Sequence, residues 1–252
     1  MRKSIILLSI ISLLSSTVCK AQTNVQLLYD FGSDKQFITA TVEGSYFDSW
    51  GSTYFFVDHD FNTVNKNSLT YSPGASYMEI SRSLNFWQNT AAAPLSLHLE
   101  YNGGHELSLS YQNAFLAGIE YGFSKPDNNA FINLQLLYKY ISYKDKNARS
   151  AIPLQFTAVW GMNELFGLKG LEFGGFVDFW WEDQDILFDH FGAMLPEKAS
   201  FVVLSEVQLW YNLGRHFGCD NLSLGGEVEF AWNFEAKKGF WCRPAGGLRW
   251  IF

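Results

Sequence analysis

"LSLGGEVEFAWNF", residues 222–234, alternates along nearly its whole length. Leu222, Leu224, Val228, Phe230, Trp232 and Phe234 fall on one face, and Ser223, Glu227, Glu229 and Asn233 on the other. Successive side chains of a strand leave on opposite faces, whereas a helix repeats every 3.6 residues, so this period of two predicts a strand. It is a long one, since the mean strand of a soluble protein has about 5–6 residues. "LEFGGFVDFWWE" (171–182) repeats the device, with Leu171, Phe173, Val177, Phe179 and Trp181 against Glu172, Asp178 and Glu182. So does "PLSLHLEYN" (94–102), with Leu95, Leu97, Leu99 and Tyr101 against Ser96, His98, Glu100 and Asn102. Strands of about 9–11 residues are the length needed to cross a bilayer in a closed barrel.

The same reading along the chain gives about twelve strands, near 24–31, 37–47, 52–61, 75–86, 94–102, 113–123, 130–142, 151–160, 171–182, 200–212, 222–234 and 241–252. An even number of antiparallel strands is the rule for bacterial outer-membrane barrels. The fold class expected is therefore all-β, a transmembrane antiparallel β-barrel. Composition agrees: aromatic residues make up 17% of a chain that is only 48% hydrophobic, as expected where rings gather at two membrane interfaces. A secreted β-sandwich also alternates, but has shorter strands and less aromatic outer faces, and ranks second. With the first strand starting in the periplasm, the connections 62–74 and 183–199 fall outside and "SKPDNN" (124–129) forms a periplasmic turn. The connection "GMNELFGLKG" (161–170) is long for its periplasmic position.

Residues 1–21 carry Arg2 and Lys3, then an apolar stretch from Ile5 to Leu14, then small residues up to Ala21. That order is a secretory signal peptide with cleavage after Ala21, which leaves residues 22–252 as the barrel. The whole chain has a formal charge of −7; loss of Arg2, Lys3 and Lys20 with no acid makes it −10. A chain so acidic is no partner for nucleic acid, whose phosphates require Lys and Arg. Cys219 and Cys242 then remain, too few for a disulfide framework. The topology puts Cys219 at the periplasmic end and Cys242 near the start of the last strand, too far apart to pair. Along that strand Leu248, Trp250 and Phe252 share the lipid-facing side, and the terminal aromatic lies at an interface, where such rings prefer to sit.

The polar faces of the strands point to the lumen. They carry Glu43, Asp58, Asp60, Glu79, Glu100, Glu120, Glu172, Asp178, Glu182, Glu206, Glu227 and Glu229, against Lys139, Arg243 and Arg249. Tyr54, Phe56, Phe176, Trp180 and Trp210 share those faces. An acidic lumen disfavours anions, while flat rings offer stacking surfaces worth about 1–3 kcal/mol to each planar base. Filling a narrow barrel is the other role open to the rings. Enzyme chemistry finds little support. Ser96, His98 and Glu100 share one strand face, but alternate residues lie about 6.8 Å apart, beyond the roughly 2.6–3.2 Å that a nucleophile and base need. The strand turns His59 away from Asp58 and Asp60, which argues against a metal centre. The glycine pairs 103–104, 174–175, 225–226 and 246–247 lie in or beside strands, so none opens a phosphate-binding helix. No cofactor is expected. Arg82 falls on the Met78, Ile80 and Leu84 face; it either snorkels to the periplasmic boundary or marks a bulge that reverses the phase.

"WGSTYFFVDHDF" (50–61), "GFVDFWWED" (175–183), "SEVQLWYNLG" (205–214) and "GGEVEFAWNF" (225–234) together resemble, in order, the pattern of the Tsx-type nucleoside-specific outer-membrane channels. The resemblance, extended by the terminal strand, covers most of the mature chain. It implies a monomeric barrel in the bacterial outer membrane that passes nucleosides by diffusion. It implies too that assembly machinery reads the closing strand. Phe56, Asp58, Phe176, Asp178, Glu206, Trp210, Glu229 and Asn233 are the lumen candidates on matching motifs; Tyr54, Trp180, Glu227 and Arg249 join them from the strand phase. The chain departs from the pattern at Asp58-His59-Asp60 and in the long 161–170 turn. An outer-membrane hydrolase and a non-conducting structural barrel are the alternatives.

Overall fold

The computed structural model describes residues 20–32, 36–61, 73–106, 113–125, 129–142, 152–188, 194–235 and 237–252. The expected signal segment up to residue 19 and parts of the expected connections 62–74, 124–129 and 183–199 lie outside them. Twelve strands run in chain order: β1 (Lys20–Asp30), β2 (Ile38–Asp48), β3 (Gly51–Phe61), β4 (Pro73–Leu84), β5 (Leu95–Glu106), β6 (Ala114–Ser124), β7 (Ala130–Ile141), β8 (Leu154–Met162), β9 (Leu171–Phe188), β10 (Met194–Tyr211), β11 (Leu222–Trp232) and β12 (Phe240–Ile251). Each pairs antiparallel with its chain neighbours, and β12 returns to pair with β1, so the sheet closes. Closure leaves no strand edge unpaired, which is the condition for backbone to cross hydrocarbon.

Alternation sets the two surfaces. On β1, Asn24, Gln26, Leu28 and Asp30 are buried inward while Val25, Leu27 and Tyr29 are exposed. On β7, Ile132, Leu134, Leu136, Tyr138 and Tyr140 are exposed, and Gln135 and Leu137 are buried. The outer surface is thus apolar around the barrel and the interior polar, the inverse of a soluble protein. Such a closed, even-stranded barrel with an apolar coat is an outer-membrane protein. At the end carrying both termini, Trp50, Phe86, Trp87, Phe123, Trp250 and Phe252 are exposed, which makes one aromatic girdle. Phe252 still belongs to the sheet margin, since its N–H donates to the Thr23 carbonyl at 2.9 Å.

Two expectations need correction. β9 and β10 extend to Phe188 and back to Met194, well beyond the expected limits of 182 and 200. Outside the bilayer a hairpin has water on both faces, so nothing demands alternation. Two register shifts between these strands, at Met194/Glu197 and Ala199/Phe201, obscure the period further. Secondly, Phe234 does not continue the lipid-facing row of β11. Asn233 has φ 56°, a left-handed conformation that Asn tolerates better than most residues. That reversal changes the phase, and the Phe234 ring meets the inward-facing Trp180 and Trp241. The 161–170 connection, long as expected, is a structured turn. A 3-10 segment, Leu165–Gly167, follows Glu164 at φ 52°, and the neighbouring connection braces it: Asn212 N–H donates to the Gly170 carbonyl at 2.8 Å and Arg215 to that of Lys169. Phe166, 90% exposed, projects from this brace.

Arg82 is settled by its partners. It lies on the outward face of β4 and donates to both carboxylate oxygens of Asp48, at 2.8 and 2.9 Å, and to Thr53 Oγ1 at 3.0 Å. The β3–β4 register is regular there, so there is no bulge. Asp48 ends β2 beside the Ser49-Trp50 turn, which places the pair at the boundary of the apolar coat. Both side chains are about a quarter to a third exposed (26% and 31%), so Asp48→Ala should destabilise the barrel by only about 1 kcal/mol. A urea titration followed by heat-modifiable gel migration reads this directly, and a loss of several times that size would place Arg82 deeper in the membrane.

Both cysteines are free: Cys219 in the connection at the terminal end, Cys242 exposed on the outward side of β12 near the opposite end. Thiol titration of denatured, unreduced mature protein should find two groups. A Cys219–Cys242 crosslink would contradict the β11–β12 register.

Candidate transport lumen

The register places every candidate residue on an inward-facing row or at its end. Tyr54, Phe56 and Asp58 lie on β3, opposite Ser45, Glu43 and Thr41 of β2. Phe176, Asp178 and Trp180 lie on β9, opposite Glu206, Leu204 and Val202 of β10. Glu227 and Glu229 face Gln208 and Glu206 across the β10–β11 pair. Arg249 on β12 faces Ser223 and Gln26.

Carboxylates are the commonest charged groups in this interior, and neutral donors hold them from the wall. Thr41 donates to Asp58, Thr157 to Asp178, and Gln26 Nε2 to Glu43 at 2.9 Å. Gln208 Nε2 donates to Glu206 at 2.7 Å and reaches Glu227 at 3.3 Å, while its own carbonyl accepts from Trp210 Nε1 at 3.1 Å. Each donor fixes a carboxylate without cancelling its charge. The acids also act on one another across the bore. Glu43 of β2 interacts electrostatically with Glu206 of β10, and Glu79 of β4 with Asp178 of β9.

The basic residues are committed to particular partners. Lys139 donates to Gln155 Oε1 at 2.6 Å and sits 3.7 Å from the centre of the Trp180 ring. Arg249 donates to Glu172 and lies 4.9 Å from the Trp210 ring. Arg243 donates to Glu229 at 3.2 Å and to Glu235, and stacks 4.0 Å from Trp241. These contacts divide the candidates. Trp180 and Trp210 are only 5% and 2% exposed. Each has a cation against its ring, so they are wall-filling clamps, not open stacking surfaces. Asn233 is a turn residue as well: its amide accepts from Gly239 N–H at 2.9 Å and donates to the Phe201 carbonyl at 3.3 Å. Tyr54, 38% exposed, leads a run of rings, with Tyr54–Phe56 and Phe56–Tyr77 centroids 6.2 and 5.9 Å apart. Phe56 and Phe176 are half-buried.

Strand-by-strand reading missed contacts that only register creates. Ser83 of β4 lies opposite His98 of β5, and Ser83 Oγ is 3.0 Å from His98 Nδ1. His98 Nε2 is 3.1 Å from Glu100, and Gln135 donates to Glu120 at 2.7 Å beside it. The hydroxyl beside the imidazole is therefore Ser83 and not Ser96. With His98 3% and Ser83 7% exposed, the group is a polar brace of the wall, closed off from a substrate. Asp30, Tyr77, Gln208 and Trp241 also face the interior, and their partners lie on the same or a neighbouring strand: Thr39 donates to Asp30, Tyr77 to Glu79, and Gln208 bridges Glu206, Trp210 and Glu227.

Residues 21–252, the entire barrel apart from Lys20, match the family model described as a domain of unknown function, DUF5020. The chain belongs to the DUF5020 family. Among solved structures the DUF5020 barrel is similar to the KdgM porin, with 11% identity over 92% of this chain and 99% of that one at a TM-score of 0.47. It is similar also to the NanC porin, with 6% identity over 90% and 98% of the two chains at a TM-score of 0.48. The Acinetobacter baumannii outer membrane protein Omp33 shares 12% identity over 92% and 97%, with a TM-score of 0.38. No curated protein matches the sequence.

Proposed function

We propose that this barrel is a passive outer-membrane channel for nucleosides or similar small neutral solutes. The observation that carries the reading is the pairing, on one inward surface, of accessible rings (Tyr54, Phe56 and Phe176) with carboxylates held open by neutral donors. Rings stack on a planar base, carboxylates accept from sugar hydroxyls, and several weak contacts in series let a solute bind and leave. The ordered resemblance to Tsx-type channels supports the same solute class. On this reading the protein acts as a monomer and needs no cofactor. Its signal peptide is removed after Ala21, so the mature chain begins at Gln22, and assembly machinery engages the closing strand β12.

Liposome swelling with a nucleoside and with a sugar of similar size tests it. The nucleoside should enter faster; equal rates would remove the selectivity, and no entry of either would make this a structural barrel. Tyr54→Ala, Phe56→Ala and Phe176→Ala should each weaken nucleoside binding by about 5- to 150-fold, the equivalent of about 1–3 kcal/mol of stacking. Small-ion conductance should stay the same or rise. Unchanged affinity in all three would reduce these rings to fillers of space.

A further inference from the structure

The apolar coat of the barrel is not smooth. A groove of about 560 Å³ crosses its outer wall from β4 to β7, running from Thr53 and Arg82 past Leu99 and Ala117. Register explains its shape. Arg82 pairs with Leu99, Leu99 with Ala117 and Ala117 with Tyr138, and all four face outward. Ala117 offers a single methyl between Leu99, 43% exposed, and Tyr138, 52% exposed, so the surface dips at its position. The next row, Tyr101, Phe115 and Tyr140, stands along one side as a wall of rings with centroids 5.2 and 6.5 Å apart. Strand tilt carries such a row obliquely up a barrel. Arg82 lies near the terminal end of β4 and Ala117 near the opposite end of β6. The groove thus begins at the boundary of the coat and climbs into it.

An ion pair with binding capacity to spare stands at the lower end. Arg82 uses Nη1 on Thr53 and Nη2 on Asp48, which leaves Nε and further N–H groups for an anion. Asp48 Oδ1 accepts from the Trp50 and Gly51 N–H groups at 2.8 and 3.1 Å as well as from Arg82. Its Oδ2 accepts from Arg82 alone among the described residues. A simple anion is drawn to Arg82 but repelled by Asp48, whereas a headgroup carrying the reverse pair of charges suits both. Short turns of such barrels lie on the periplasmic side, and Ser49-Trp50 is one, so the headgroups here belong to the phospholipid leaflet. From this geometry we propose that the groove holds one zwitterionic phospholipid of the ethanolamine class. Its phosphate sits on Arg82, its ammonium on Asp48 Oδ2, and one acyl chain lies over Leu99 and Ala117 against the ring wall. A second copy of the barrel fits the place poorly, because its coat is convex and the groove is narrow. The site is on the outer wall and is independent of which solute passes within.

Native mass spectrometry of detergent-folded mature protein, mixed with equal amounts of palmitoyl-oleoyl phosphatidylethanolamine and phosphatidylglycerol, tests the site. The monomer should retain one lipid, with the ethanolamine form favoured roughly fivefold, the size of a partly exposed ion contact. Asp48→Asn leaves Arg82 without its acid and should turn the preference towards phosphatidylglycerol. Ala117→Phe fills the groove and should cut retention of phosphatidylethanolamine by about fivefold or more, while Leu224→Phe, outward on β11, should leave it unchanged. Folding of each variant is confirmed by heat-modifiable migration. Equal retention of the two lipids by wild type, an unaltered preference in Asp48→Asn, or wild-type retention in Ala117→Phe would overturn the site. So would an equal loss in Leu224→Phe, which would mean that lipid coats the barrel without choosing a place. A lipid-free dimer that Ala117→Phe abolishes would give the groove to a second copy and likewise overturn it.

Discussion

Arg243→Ala should cost the barrel about 3–5 kcal/mol, the size expected when one member of a buried ion cluster is removed. Arg243 is 3% exposed. It donates to Glu229 and Glu235, interacts with Asp30, and stacks on Trp241. Without it, Glu229 loses its guanidinium partner and still faces Glu206 in the β10–β11 register, inside a lumen already rich in acids. The penalty arises from the carboxylates left behind as much as from the lost bonds. Arg243→Lys should fall between wild type and Ala, because a point charge keeps the Coulomb attraction but not the planar fork or the ring contact. The urea midpoint of the heat-modifiable band measures all three. A midpoint within error of wild type for the Ala variant would mean that water reaches this cluster and screens it. The exposed Arg82–Asp48 pair is the internal contrast, being worth only about 1 kcal/mol for the same chemistry.

The bilayer is what makes this fold readable. It demands an apolar side chain at every outward position, so "LSLGGEVEFAWNF" and its counterparts display their phase plainly, and strand number, closure and the inward set follow. Where that demand stops, legibility stops with it. The distal halves of β9 and β10, near Asp183 and Lys198, lie beyond the apolar band and carry no period to count. Asn233 shows another limit, because one left-handed residue flips the phase of Phe234, and sequence marks such a residue only weakly.

Partners were harder to read than faces. That Trp180 and Trp210 point inward was visible from alternation, but that Lys139 of β7 and Arg249 of β12 cover their rings was not. Those contacts depend on the barrel's stagger and on side chains reaching over intervening strands, which no local spacing encodes. The Ser83–His98 contact is of the same kind, since it joins adjacent strands at one register among several that keep the same faces inward. Composition thus describes what the lumen contains, and register decides which of its groups remain open.

Uridine should permeate about tenfold faster than uridine 5′-monophosphate after correction for size, a difference of about 1.4 kcal/mol in the barrier. Charge in the lumen is unbalanced. Each lumenal cation is held against a partner at the wall: Lys139 on Gln155 and Trp180, Arg243 on Glu229 and Glu235, Arg249 on Glu172. Glu43 and the hydrogen-bonded pair Glu206–Glu227 are held instead by the amides of Gln26 and Gln208, which cancel no charge, while Arg249 offsets part of the charge of Glu43 from further off. Low-dielectric walls lengthen the reach of that charge, so a phosphate meets it before any stacking contact can form. Replacing Glu43, Glu206 and Glu227 together by Gln should bring the two rates towards the ratio set by size alone, with nucleoside entry little changed. Raising the salt should narrow the gap in wild type and do much less in the triple variant, because screening acts only on charge that is present. If the triple variant discriminates as strongly as wild type, the solute path does not pass these carboxylates, and the lumen must reject phosphate by its width.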